Sequence, residues 1–493
     1  MGKSTELDVK VKFGLKSFIT VVAILLAVLI FVGVLTYVIP AGRYTIYTTD
    51  ESKKDQPFYE YTTDKSLNNQ IVIDSYRELT GDENSSRLPV LRWFTSPFEA
   101  LVLGSNSANM IMIIALLLVL GGTFKVLEES GGLVSLVKVI MVKLHSKRFS
   151  AIWVITGVIM ILSAVFGLQE QLLILYPVFA MLCTALNWSR FTAISFVLIA
   201  SGVGFTTAIT NPLTIGTASI AAGVNVTDGL WYRCIIFCVM YVVTSLFLTY
   251  LAKRDEKKAT EKFDVEGFIK VSNEEHIEDV RKAKMIVALF SIALLSVIIT
   301  TAIPSLRSLA MVFMAVAFIV GTVIVGKILL GTYKHLGKSF VKGVKDVLPS
   351  IVIIMIAFGI TYIAQQGNIL HTIFHYFYNS VTNISPYLAV IILYVFVLII
   401  EFFIPSASAK AVLIIPMLTL APIEGISKTV IILTYLFADG YTNVLYPTCG
   451  TLLVGLGLAD VSFAEWFKKT ILFQLILFAL SIGFLMIAVF IGL

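Results

Sequence analysis

Thr206 to Gly223 reads TTAITNPLTIGTASIAAG, a polar passage set inside a long hydrophobic run. It carries five threonines between Thr206 and Thr217, an Asn211-Pro212 pair and several small residues, where a membrane-spanning helix would be uniformly apolar. A second passage of the same character, Asp439 to Gly457, reads DGYTNVLYPTCGTLLVGLG. Proline removes a backbone donor and clashes with the preceding turn, so each passage predicts a helix broken at mid-span. Bare backbone at membrane depth is tolerated only where protein buries it or a cavity wets it. Two such breaks in corresponding halves point to the substrate site of a carrier.

The rest of the composition agrees. Of 493 residues, 58% are hydrophobic and 14% charged, with a mean hydropathy of +0.91. Soluble domains carry about 25% charged residues, so most of this chain belongs in a bilayer. The net charge of +6 does not indicate a nucleic-acid partner, because the basic residues gather in loops on one predicted side. Cys183, Cys234, Cys238 and Cys449 sit in apolar context without CxxC spacing and read as core fillers rather than metal ligands. Trp93, Trp153, Trp188, Trp231 and Trp466 end apolar runs, the position of interfacial anchors.

In chain order, 1–149 predicts first-half scaffold helices: a lysine-rich start, then an apolar run from Ser17 to Pro40 that is too long for a secretory signal. Within it, 41–105 is a polar outside segment, either a small strand-rich cap built on its tyrosines or a solvated loop. Residues 131–149 read as an amphipathic helix on the inner surface, with His145 part of its basic face. Residues 150–228 hold a short-armed re-entrant hairpin around GLQEQ (167–171) and the first broken helix. Each arm falls short of the roughly 20 residues a crossing needs. A scaffold helix at 229–252 and a solvated, charged cytoplasmic linker at 253–283 follow. Residues 284–383 are second-half scaffold helices, including a basic stretch at 334–346 before a span at 347–366. An aromatic interfacial helix at 369–380 carries His371 and His375, an i, i+4 pair without the carboxylate a metal site would add. Residues 384–459 hold the second hairpin, around IPSASAK (404–410), and the second broken helix, and 460–493 is a final scaffold helix.

The halves repeat. Pro177 and Pro416 follow the hairpin tips, Pro212 and Pro447 lie in the breaks, and Trp231 and Trp466 each follow the break proline by 19 residues. Counting spans from a cytoplasmic amino terminus puts the basic stretches 138–148, 253–258 and 334–345 inside and makes the repeat inverted. The expected fold is an all-α polytopic membrane protein of two inverted-topology repeats, each with a re-entrant hairpin and a broken transmembrane helix.

The runs PSASAKAVLIIP, DGYTNVLYPTCG, VIPAGRY and TNPLTIG resemble the YfcC group within the C4-dicarboxylate carrier C family. The hairpin-plus-broken-helix pattern is similar, more distantly, to the wider ion transporter superfamily. The resemblance implies an elevator-type transporter, a homodimer in a bacterial inner membrane. It also implies members divided between dicarboxylate carriers and arginine/ornithine-type basic amino acid exchangers. The tips GLQEQ and PSASAK depart from the Ser-Asn-Thr of the divalent-anion/sodium symporters, which argues against a sodium site of that kind.

Candidate substrate-binding residues follow from the breaks and tips. Half-helix N-termini attract carboxylates and carbonyl ends attract cations. Thr210, Asn211, Pro212, Thr214 and Thr217 come from the first break, Thr442, Asn443, Thr448 and Thr451 from the second, and Gln169, Ser406 and Ser408 from the tips. These groups either bind substrate or satisfy backbone freed by the breaks. A charge at depth costs on the order of 2.5–3.5 kcal/mol on insertion scales unless paired or wet. That singles out Glu170, Lys410, Asp439 and Glu401. Glu170 and Asp439 face a substrate amino or guanidinium group or carry a coupling proton. Lys410 holds a carboxylate or neutralises an acid, and Glu401 lies nearer the surface. Three acids against one base favour an amino acid, basic in preference, over a C4-dicarboxylate; a channel is the remaining class. No HExxH, GxSxG or Walker sequence occurs, so no catalytic residues, metal or cofactor are expected, and H+ or Na+ remains open as a coupling ion.

Overall fold

The computed structural model describes residues 15–54, 56–64, 72, 75–80, 88–104, 107–144, 147–258, 273–303, 305–306, 309–381, 384–404, 407–420 and 425–493. Ser406 and His145 lie outside them, as does the 259–272 part of the linker; the side chain of Ser408 is also outside the description. Among the described residues nine helices are long and apolar enough to cross a membrane. Arg190–Ala222, the broken one, is the most enclosed, with 94% of its apolar window buried against 33% for Leu230–Lys258.

Serines start the helices of the second half cleanly. Ser385, Ser427 and Ser462 each accept a hydrogen bond from the backbone three residues on, as Ser189 does before Arg190–Thr207. Each satisfies an orphan donor worth about 1 kcal/mol. The basic stretch at 334–346 is not separate from the span behind it. Thr332 caps one helix, Tyr333–Gln366, whose 34 residues rise about 50 Å and outreach a hydrocarbon core of about 30 Å. Its first turns, with Lys334, Lys338, Lys342 and Lys345, therefore extend beyond the apolar layer.

The helices pack in two groups. In the first, Tyr333–Gln366 lies against Leu15–Val38, Val90–Leu103 and Ser107–Glu129, and Ala310–Leu330 packs on Ser107–Glu129 and on Asn273–Ala302. The second group contains the hairpins and the broken helices, and its contacts come in matched pairs. Arg148–Phe166 packs on Arg190–Thr207 as Pro386–Phe403 packs on Lys428–Thr442. Arg190–Thr207 packs on Leu230–Lys258 as Lys428–Thr442 packs on Phe463–Phe490. The helices expected to join the scaffold at 229–252 and 460–493 thus lie against the hairpin elements instead.

The charged C-terminal end of Leu230–Lys258 reinforces this placement. Asp255 accepts from Ser189 Oγ and Thr192 Oγ1, both at 2.6 Å, and Glu256 pairs with Arg148 at 2.7 Å and accepts from Trp188 Nε1 at 3.1 Å. These acids, expected in a solvated linker, bind the bases of the first hairpin and the first broken helix. The tryptophans also differ from expectation: Trp93, Trp188 and Trp466 are buried, and only Trp231 is well exposed. Each buried indole donates to a fixed acceptor, so these rings are packing anchors rather than lipid-interface anchors.

The chain is mostly helical rather than all-α. In the outside segment Gly42–Arg43 pairs antiparallel with Arg77–Glu78, and Ile46–Thr48 pairs parallel with Tyr59–Tyr61. This strand-bearing cap replaces the solvated loop, and Val90–Leu103 is already helical within the expected polar stretch. The cap is fastened to the helix Ile369–Val381. Tyr44 N donates to His371 Nδ1 at 3.2 Å, and the Tyr44 hydroxyl meets His375 Nδ1 at 3.1 Å. Tyr76 stacks on His375 at 4.0 Å and donates to Thr372 at 3.0 Å. Both histidines are thereby engaged, and among the described residues no metal-holding cluster exists. Burial, then the nearby Arg43, pushes His371 down to about 4.

Candidate functional site

The first break begins where Arg190–Thr207 ends on Ala208, a non-glycine residue in the left-handed region at φ 35°. Asn211 restarts the chain. Its side chain accepts from Leu213 N at 2.9 Å, Pro212 takes the first position, and a π-type turn at Pro212–Gly216 leads into Thr217–Ala222. The N–H groups of Thr210 and Asn211 both donate to the Ala164 carbonyl at 3.1 Å, tying the break to the end of the first hairpin arm. That arm closes on Gly167, at φ 73°, where a Cβ would stand 2.3 Å from Asn211 Oδ1. Glycine at this corner is what lets the tip approach the break.

The second break runs from Asn443 to Cys449, between Lys428–Thr442 and Gly450–Leu458. Asn443 Nδ2 donates to Gln169 Oε1 at 3.0 Å, so the first hairpin tip is bonded to the second break. The second hairpin arm Ala407–Leu420 packs in turn on Thr217–Ala222 and on the π-type turn of the first break. The two broken helices cross closely. A Cβ on Gly440 would sit 2.2 Å from Thr206 Oγ1 and 2.3 Å from Thr206 N.

Buried polar groups without a hydrogen-bond partner at the tip and breaks include Gln169 Nε2, Asn211 Nδ2, Thr214 Oγ1, Ser219 Oγ and Thr448 Oγ1. Buried polar atoms are normally satisfied, so these amide donors and hydroxyls keep hydrogen-bonding capacity that a ligand could use. Glu170, the residue after Gln169, is half-buried, with Thr451 against its carboxyl. Thr210 and Thr217 do what the alternative reading asks, donating to the Val165 and Pro212 carbonyls at 3.2 Å, and Thr210 is exposed.

The deep charges are arranged differently from expectation. Glu401 is 1% exposed rather than near the surface. Lys410, with no exposure, pairs with Glu401 and with Asp439 at 2.6 Å, and Thr442 donates to Glu401 at 3.3 Å. Lys410 pairs with both acids, taking up Asp439 Oδ1, while Asp439 Oδ2 has no partner.

Three further side chains serve the breaks, and of these Arg233 and Gln474 were not singled out from sequence. Arg233 is 3% exposed, and its guanidinium donates to the carbonyls of Asp228 at 2.7 Å, Val226 at 2.5 Å and Ile209 at 3.3 Å, the last within the first break. Trp466 Nε1 and Gln474 Nε2 do the same for the Val444 carbonyl of the second break, at 2.8 and 3.3 Å. In each half the helix after the break sends a donor back to a freed carbonyl. The available signal was an arginine two residues past Trp231 in an apolar helix. Between the two packing groups runs a crevice walled by Leu120 and Val347 on one side and by Ile174 and Met181 on the other. Lys125 and Asp346 also line it.

The family model of DcuC, the C4-dicarboxylate anaerobic carrier, matches residues 18–490. The chain is 24% identical over 475 residues to the Escherichia coli protein named "Putative basic amino acid antiporter YfcC", covering 90% of this chain and 91% of that one. It is 24% identical over 496 residues to an uncharacterized Haemophilus influenzae protein, covering 92% and 93%. Solved structures with loose similarity include the Alcanivorax borkumensis YdaH transporter, at 15% identity, TM-score 0.42 and 97% and 98% coverage. Neisseria gonorrhoeae MtrF, described as illuminating a class of antimetabolite efflux pumps, matches at 15% identity, TM-score 0.45 and 95% coverage of both chains. With nine apolar helices among the described residues and a family match over nearly its whole length, the chain is a multi-pass membrane protein of the DcuC carrier family.

Proposed function

We propose that the protein is a secondary carrier of amino acids, basic ones in preference, working by exchange or by coupling to an ion. The observation that carries this is the pairing at the first hairpin tip. Glu170 stands as an acid beside unpartnered amide donors, a complement for an ammonium or guanidinium group and a carboxylate on one ligand. Among the described residues the bases at the breaks are already committed, Lys410 to two acids and Arg233 to carbonyls. A C4-dicarboxylate would need such a base free. The name of the Escherichia coli relative agrees with the basic amino acid reading, whereas the family description favours the dicarboxylate.

The substrate residues in this reading are Gln169, Glu170, Asn211, Thr214, Asn443, Thr448 and Thr451, with Pro212 shaping the first break. Thr210, Thr217 and Thr442 support the backbone around them, and Ser406 and Ser408 stay candidates from the second tip. The matched packing pairs support an inverted repeat, and the two packing groups support an elevator. The moving unit then includes Leu230–Lys258 and Phe463–Phe490 with the hairpins, sliding along the crevice against a first group that dimerises. The amino terminus is cytoplasmic and the membrane is the bacterial inner membrane.

Counterflow in proteoliposomes tests the substrate. Vesicles are preloaded with unlabelled arginine, ornithine, a neutral amino acid or succinate, and entry of the labelled partner is followed without an ion gradient. Acceleration by arginine or ornithine is expected. Acceleration by succinate alone would overturn the reading and move recognition to the half-helix ends.

A further inference from the structure

The second hairpin and the second break meet at one amino group. Lys410 Nζ, wholly buried, donates to Asp439 Oδ1 at 2.6 Å, to Glu401 Oε2 and to the Ile404 carbonyl at 3.4 Å. Thr442 Oγ1 lies against the same shell, bonded to Glu401 at 3.3 Å and to the Asp439 carbonyl at 3.1 Å, and the Tyr435 ring faces the ammonium at 5.7 Å. Glu401 Oε1 and Asp439 Oδ2 are buried and have no partner. Ile404 ends the helix Pro386–Phe403, so its carbonyl carries the negative end of that helix dipole.

This donor set goes beyond a lysine salt bridge. Carboxylate oxygens from two elements, a half-helix carbonyl and a hydroxyl are the oxygen ligands with which broken helices coordinate coupling ions. Two carboxylates against one ammonium also leave the shell rich in negative charge, with oxygens to spare. We infer that this is a monovalent-cation site which the chain fills with its own ammonium, Lys410 standing where a dissociable cation would otherwise bind. The tethered ion clamps the second hairpin to the second break, and through Asn443 and Gln169 to the first hairpin tip. Such a carrier needs no sodium to assemble its site. That consequence rests on the carrier reading above, whereas cation binding by a lysine-free variant does not.

The test is thermal unfolding of the purified full chain in choline, sodium, potassium or methylammonium chloride at equal ionic strength. Wild type is expected to unfold at one temperature in all four salts. Lys410→Ala is expected to unfold lower in choline and to rise with the concentration of methylammonium and sodium. Where Lys410→Ala yields no folded protein, Glu401→Gln/Lys410→Ala has one buried charge fewer and is expected to show the same ion-dependent rise. Indifference of the folded variant to the four salts would overturn the inference. So would stabilisation of wild type by sodium over choline, or wild-type counterflow that stops when choline replaces sodium. The expected salt response together with no counterflow of any amino acid or dicarboxylate removes the carrier reading and supports the cation site.

Discussion

The two breaks share an architecture and differ in chemistry. In the first, Ala208 to Asn211, every polar group is uncharged, the backbone is tied to the Ala164 carbonyl, and a neighbouring arginine serves only carbonyls. The second is flanked by a fully buried triad of two acids and one lysine, while a tryptophan and a glutamine tend its free carbonyl. The first break is thus held by hydrogen bonds and the second by charge. In the carrier reading proposed above, ion chemistry would sit at the second hairpin and recognition of a cationic group at the first tip.

The largest expected effect strikes the charged half. Lys410→Met leaves two buried carboxylates without a counter-charge, and breaking such a cluster costs about 3–5 kcal/mol. Loss of folded protein in detergent is expected. Asp439→Asn leaves Lys410 paired with Glu401 and folds, but should depress counterflow of cationic and neutral amino acids equally. Glu170→Gln, at the first tip, should depress cationic substrates selectively with little change in stability. Interchanged outcomes for Asp439→Asn and Glu170→Gln would reverse the division of labour.

Next is the crossing of the two broken helices. Gly440→Ala places a methyl against Thr206 backbone, which cannot step aside as a side-chain end can. Overpacking of this kind costs about 1–3 kcal/mol, and Gly440→Ala should fall at the top of that range in melting experiments. Gly202→Ala meets only Val444 Cγ1 and should cost less.

Smaller effects compare the two asparagines. Asn443→Ala strands Gln169 as a buried, unpaired amide, costing about 1–3 kcal/mol. Asn211→Ala removes an N-cap at about 1 kcal/mol. Both are expected to abolish counterflow, but thermal shift should rank Asn443→Ala as the less stable.

The smallest effect belongs to the outer cap. His371 is held neutral by burial and by Arg43, with a folded value of about 4 below its ordinary 6.5. Because the folded value is depressed, this histidine's contribution is full above pH 6.5 and is lost as pH falls toward 4. His375, Tyr44 and Tyr76 complete the group that faces it. Acid should therefore loosen the cap, read as faster hydrogen exchange at 42–48 at pH 5 than at pH 7. In His371→Gln, exchange there should depend less on pH.

Much of the fold was legible in single residues. Proline at 212 and 447 within apolar runs announced the breaks, because a missing donor and a ring clash act locally. The hairpin arms read as too short to cross, yet Arg148–Phe166 and Pro386–Phe403 are long and apolar enough to span. The strand-bearing cap was one of two open readings, since short edge pairings depend on a partner, here the helix of His371 and His375, far along the chain. Burial was the least legible property: Trp466 and Glu401 read as surface residues because sequence carries spacing but not depth.

By itself, then, the sequence determined a membrane protein with two interrupted helices, because hydropathy and proline geometry are properties of contiguous residues. Only the tertiary structure decided which charges are free. Lys410, Glu401 and Asp439 come from three helices, and the pairing of two carboxylates on one ammonium depends on how those helices meet. It likewise decided that Leu230–Lys258 and Phe463–Phe490 pack against the hairpin elements, since a helix equally apolar on every side has no preferred neighbour until its polar ends find partners.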